Sequence, residues 1–155
     1  MQATQKSSID DLFSNREWRL NNLYTILDEK GNEVSFSLND AQQDLLDNMH
    51  DKNIILKARQ LGFTTFIQIF MLDRCLFNND TAAGVIAHNR EDAEDFFNKK
   101  IKFAYDSLPE WLKVERAATS DSAKMLAFSN GSSIRVGTSL RSGTYQYLHV
   151  SEDRK

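Results

Sequence analysis

The chain has one cysteine, one proline and six glycines in 155 residues, and no apolar run approaches the roughly 20 residues of a membrane-crossing helix. A lone Cys75 excludes an internal disulfide. It lies in an apolar run, where a small buried side chain is the expected reading. His50, His88 and His149 are far apart, with no second ligand at metal spacing, so a zinc site is not expected. The scarcity of proline and glycine rules out collagen-like and low-complexity chains. Residues 1–11 lack the basic start and apolar stretch of a signal peptide, so the expected location is the cytoplasm. An excess of positive charge is also missing: 19 basic and 22 acidic residues give a net charge of -3, so any DNA contact must be local. What remains, 41% hydrophobic and 26% charged, is the composition of one globular domain.

Residues 1–22 are polar apart from Ile9, Leu12, Phe13, Trp18 and Leu20, which predicts a short helix on a mobile arm, little order before Asp10, and a main body over 23–155. Leu23 to Leu27 and Val34 to Phe36 flank a glycine turn and read as a hairpin. Asn39 can cap a helix carrying Ala41, Leu45, Leu46 and Met49 and ending near His50. Asn53 to Leu56 reads as a brief strand, then a polar loop over Lys57 to Thr65 leads into a mostly apolar helix reaching Phe77. Ala82 to Ala87 is a second strand. Asn89, with Asp92 three residues on, opens a helix whose apolar face is Phe96, Phe97, Ile101, Ala104, Tyr105 and Leu108. Lys124 to Phe128 and Ser132 to Val136 read as a hairpin around a two-residue Asn130-Gly131 turn, and Tyr145 to Val150 as a last strand. Strands alternating with helices predict an α/β domain with a largely parallel sheet. Lys99, Lys100 and Lys102 read as a solvated helix face.

The loop has the setting of a phosphate-binding site: bare amides at the start of a helix hold polyphosphate, a cation meets the outer phosphates, and a hydroxyl serves magnesium. Against G-x-x-x-x-G-K-[ST], Gly62 and Thr64 match, Lys57 stands at the first glycine and Phe63 at the lysine. The other reading is a glycine turning strand into helix with Lys57 and Arg59 as surface charges. Near the C-terminus four apolar-leaning residues run into Ser151-Glu152, where a Walker B strand would carry two acids. Read alone, Glu152 is a surface carboxylate.

The string Ala58-Arg59-Gln60-Leu61-Gly62-Phe63-Thr64-Thr65 resembles the deviant Walker A loop of terminase large subunits, the DNA-packaging motors of tailed phages. Asp40-Ala41-Gln42-Gln43-Asp44 resembles that family's adenine-recognition segment, Gly84 to Asn89 its next strand, and Ser139 to Thr144 with Tyr147 to Glu152 the stretch that carries Walker B. The resemblance covers residues 36–152. It implies a P-loop NTPase of the additional-strand, RecA/helicase-like kind, a three-layer sandwich whose sheet is incomplete here. The strand after Walker B and the nuclease domain are expected to be absent, making the chain an N-terminal fragment that does not turn over alone. The implied cofactors are ATP and Mg2+. Lys57 and the loop from Ala58 to Thr65 would hold the phosphates, Gln42 the adenine, Thr64 and Ser151 the metal, Arg59 the transition-state charge, and Glu152 the attacking water. Arg141 is a second arginine candidate. The implied partners are double-stranded DNA, a portal protein and a small terminase subunit. The rival readings are a helicase-like nucleic-acid-dependent ATPase and a non-catalytic remnant.

Overall fold

A computed structural model describes residues 11–28, 30–54, 62–140 and 143–150. They form a mixed α/β fold with an open sheet that does not close into a barrel. In chain order the elements are α1 (Arg16–Asn22), β1 (Thr25–Leu27), β2 (Glu33–Ser35), α2 (Asp40–Asp47), α3 (Phe63–Phe77), β3 (Ala82–Ile86), α4 (Arg90–Phe96), a π-helical turn (Phe97–Lys102), α5 (Phe103–Asp106), α6 (Glu110–Glu115), β4 (Ala118–Asp121), β5 (Met125–Phe128), β6 (Ser133–Gly137) and β7 (Tyr147–Val150). β1 and β2 make a separate antiparallel hairpin, and the main sheet has the order β4-β5-β6-β3-β7. β3 runs parallel to both β6 and β7, whereas β4, β5 and β6 are an antiparallel meander. Among the described residues no helix is long and apolar enough to cross a membrane.

Register explains which face is buried. Ala83 pairs with Ile134 and Tyr147, and Val85 with Val136 and His149, so these side chains share one face of the sheet. Ala83, Val85, Ile134 and Val136 are buried there, in the same core as Leu72 and Leu76 of α3. One residue out of phase, Leu148 and Val150 point to the opposite face and are about half exposed, at 53% and 55%.

The packing centres on α3. Its sequence FTTFIQIFMLDRCLF is apolar on nearly every side, and the residues buried along it run from Phe66 to Leu76. Its last carbonyls find partners from distant segments. Asn130 Nδ2 donates to Cys75 O at 2.8 Å, and Arg116 Nε donates to Leu76 O at 2.7 Å. Both satisfy acceptors that a helix end cannot satisfy itself, and the arginine also opposes the negative end of the helix dipole.

Asp73 lies inside α3 with no solvent exposure. Arg19 of α1 answers it with a two-pronged contact, Nε to Oδ1 and Nη2 to Oδ2 at 2.9 Å each, while the Tyr24 hydroxyl donates to Oδ1 at 2.6 Å. Arg19 also stacks on Phe77, 4.1 Å from the ring centroid. Burial, and then the neighbouring Asp73 carboxylate, push the Tyr24 hydroxyl well above its usual pKa. The segment expected to be a mobile arm is therefore, over α1, seated in the core, where Arg19 and Leu20 are buried.

Other expectations need correction. The β5–β6 turn has three residues, not two: Gly131 N donates to Phe128 O and Phe128 N to Ser132 O, and Gly131 alone in the turn has positive φ, at 85°. A type I turn closed by a left-handed glycine makes this shape. The geometry leaves Asn130 free to cap α3. The helix from Asp40 stops at Asp47 rather than near His50. Asn53 and Ile54 belong to no strand, and the rest of the strand expected there lies outside the described residues. β4, a polar edge strand, was not anticipated. The lysine run is tethered: Lys100 Nζ donates to Leu27 O, Lys102 pairs with Asp121 and Lys99 with Asp95.

Removing one partner of a buried ion pair leaves an uncompensated charge, which costs about 3–5 kcal/mol. Arg19→Met should lose stability on that scale in urea unfolding, and a loss below about 1 kcal/mol would show that the network does not hold α1 in place.

Candidate functional site

The start of α3 is the place where the sequence puts its phosphate loop. Gly62 precedes the helix in the left-handed conformation, φ 71° and ψ 22°, and no side chain caps the helix there. Gly62 O receives the first intrahelical bond, from Phe66 N at 3.0 Å. The first turn, Phe63-Thr64-Thr65, carries no acidic residue, and these residues are half-buried. An N-terminus of this kind presents unsatisfied N–H donors and the positive end of a helix dipole.

Gln42 reaches this point from α2. Asn39 and Gln42 form a reciprocal capping box: Gln42 N donates to Asn39 Oδ1 at 2.9 Å, and Asn39 N donates to Gln42 Oε1 at 3.0 Å. The other end of the same amide donates from Nε2 to Gly62 O at 2.9 Å. Gln42 is 4% exposed and so joins the start of α2 to the start of α3. Each end of the amide is thus already engaged in a bond within the protein. Asn39 was legible as the cap of α2; the return bond to Gln42 and its link to Gly62 were not.

The direction of α3 follows from its far end. Cys75 Sγ lies 3.8 Å from Thr81 O and 3.6 Å from Ser133 O, so the helix ends beside the starts of β3 and β6 and runs antiparallel to them. Phe70, at mid-helix, packs edge-on against Tyr147 at the start of β7, with centroids 5.8 Å apart. From Phe70 back to Phe63 the helix covers about 10 Å, and from Tyr147 to Val150 the strand also covers about 10 Å. From that contact, the opening turn of α3 and the carboxyl end of β7 run toward the same side of the sheet.

Of the candidate site residues, Gln42, Gly62, Phe63, Thr64 and Thr65 are described, and the structure brings Gln42 to Gly62. Lys57, Ala58, Arg59, Gln60, Leu61, Arg141, Ser151 and Glu152 lie outside the described residues. Among the described residues, no cluster of three or more His, Cys, Asp or Glu side chains is placed to hold a metal ion. His149 shares the buried face of β7, its Nδ1 has no hydrogen-bond partner among the described residues, and burial lowers its pKa below the ordinary value. Burial likewise pushes the Cys75 thiol up to about 12, which makes it inert as a nucleophile. The chain matches no protein-family model.

A Cβ added at Gly62 would meet Gln42 Nε2 at 2.8 Å, in a backbone conformation that L side chains rarely adopt. Gly62→Ala should therefore cost about 1–2 kcal/mol, and Gly62→Asn less, because asparagine tolerates that region. Equal losses for the two in thermal melts would contradict the conformational cause. His149 gives a pH dependence of definite sign. Its folded-state pKa lies below the unfolded value of about 6.5, so the unfolded chain takes up the proton first and stability falls as pH drops below about 6.5. His149→Gln should flatten that part of the stability–pH curve; an unchanged slope would remove His149 as its source.

Proposed function

We infer that the chain is the ATP-binding portion of a DNA-packaging motor of the terminase large-subunit kind, with its phosphate site at the start of α3 and the carboxyl end of β7. The observation that carries this reading is the parallel pairing of β7 with β3, at Ala83–Tyr147 through Ile86–Val150, beside a helix α3 that opens at a left-handed glycine with no side-chain cap. In a P-loop ATPase of the additional-strand kind, the strand after the P-loop helix neighbours the Walker B strand. The neighbours here are β3, which follows α3, and β7, which runs into Ser151-Glu152.

The residue roles follow from charge and position. The loop from Ala58 to Thr65 offers backbone N–H groups to phosphate oxygens, and Lys57 supplies the cation that Phe63 does not. Gly62 gives the backbone its close turn, and Gln42 holds Gly62 O so that the loop leaves the helix in one direction. Mg-ATP, when bound, would supply the γ-phosphoryl group that passes to water, with ADP as the leaving group. Thr64 would offer its hydroxyl to the metal, and Ser151 would hold a metal-bound water. Glu152 would orient the attacking water, and Arg59 would meet the charge that develops on the transferred phosphoryl. The runner-up, a helicase-like ATPase, shares all of these roles.

Ligand that binds only the folded state raises stability by about 2.7 kcal/mol at a concentration a hundredfold above its dissociation constant. ATP with magnesium should shift the melt of the chain upward. Lys57→Ala should lose the shift and Glu152→Gln should keep it, since Glu152 acts on water rather than on binding. A melt indifferent to ATP would sink the reading.

A further inference from the structure

Asn130-Gly131 is the one Asn-Gly pair in the sequence. Glycine has no side chain to hold its neighbour away, so its backbone nitrogen can swing onto the side-chain carbon of the asparagine before it. A bond then forms between Gly131 N and Asn130 Cγ, the Cγ–Nδ2 bond breaks, and ammonia leaves with the proton from Gly131 N. Water opens the resulting cyclic imide to aspartate or isoaspartate.

In the fold, the groups that this reaction needs are engaged elsewhere. The nucleophile, Gly131 N, donates to Phe128 O at 3.1 Å. The leaving group, Asn130 Nδ2, donates to Cys75 O at 2.8 Å, to Asn78 O at 3.2 Å and to Leu76 O at 3.4 Å. Asn130 Oδ1 accepts from Ser132 N at 3.0 Å, and Asn130 O accepts from Asp80 N at 3.1 Å. Ser132 Oγ ties the same turn down a second time, donating to Asn78 O at 2.7 Å and accepting from Thr81 N at 3.0 Å. The side-chain amide cannot turn toward Gly131 N until the turn lifts off the end of α3.

The product does not fit the place that the asparagine held. An ionised aspartate has no donor for the carbonyls of Cys75, Leu76 and Asn78, and its charge meets the negative end of the α3 dipole. A second carboxylate, Asp80, already lies where a Cβ on Gly131 would stand, and like charges repel. Isoaspartate also adds a carbon to the main chain of the turn. We propose that Asn130-Gly131 is a self-modification site gated by the fold: deamidation waits for the β5–β6 turn to leave α3, and the carboxylate it creates keeps the turn from docking again. Opening of this turn is thereby recorded in the chain and made irreversible.

The test is the deamidation rate of the whole chain at neutral pH, followed by mass spectrometry of its tryptic peptide Met125–Arg135 and compared with the same peptide made synthetically. When opening is fast relative to the chemistry, the rate follows the population of the open form. The chain should therefore react more slowly than the peptide by about tenfold or more, since opening breaks several hydrogen bonds at once. In urea that unfolds the chain the two rates should meet. Ser132→Ala, which cuts the second tie without altering the reacting pair, should speed the reaction in the folded chain and not in the peptide. Asn130→Asp, the product, should be less stable than Asn130→Ala, which loses the donor and gains no charge. Equal rates in folded chain and peptide, or a rate indifferent to Ser132→Ala, would overturn the gating; an Asn130→Asp chain as stable as Asn130→Ala would overturn the block on docking. If neither Asn130 variant folds, the rates of the unsubstituted chain and of Ser132→Ala decide.

Discussion

A carboxylate with no access to solvent, Asp73, sits within the fifteen-residue helix around which the domain is packed. A lone buried charge of that kind is untenable, and its partners come from outside the helix: Arg19 from α1 and Tyr24 from the start of the hairpin segment. The ion pair thereby fixes where the N-terminal segment lies. The stacking of Arg19 on Phe77 and the burial of Leu20 follow from that placement.

The two ends of α3 are treated differently. At the C-terminus, Asn130 and Arg116 satisfy the carbonyls of Cys75 and Leu76, and Ser132 Oγ donates to Asn78 O at 2.7 Å, so hairpin, helix and sheet close on one another. At the N-terminus a left-handed glycine stands where a capping side chain would, with no side-chain cap among the described residues, and Gln42 Nε2 donates to the Gly62 carbonyl. Among the described residues the carbonyl end of α3 is tied to the hairpin and the sheet by side chains, and its amide end is not.

Local signals were legible where the cause is local. Asn39 and Asn89-x-x-Asp92 each open a helix, because a side chain three residues from its partner needs no tertiary help. The strands Ala82–Ile86 and Tyr147–Val150 were visible as β-prone runs. The turn at Asn130-Gly131 was misjudged because its asparagine serves a helix 55 residues away in sequence, and that demand selects the longer turn. The π-helical turn at Phe97–Lys102 lay hidden within a pattern read as one helix, and the polar strand Ala118–Asp121 carried no apolar alternation to mark it. Of the candidate site, the glycine and the helix it opens were legible; the contact between Gln42 and Gly62 O was not.

By itself the sequence determined an α/β domain, its helix starts and hairpins, and a glycine before a buried apolar helix, because each of these depends on residues a few positions apart; the sheet, expected to be largely parallel, is mixed, with β4, β5 and β6 antiparallel. Only the tertiary structure decided that β7 lies beside β3, that Arg19 belongs to Asp73, and that Gln42 holds Gly62 O. Those pairings join residues separated by tens of positions. They are selected by burial and by the need to match charge and hydrogen bonds once the chain is compact.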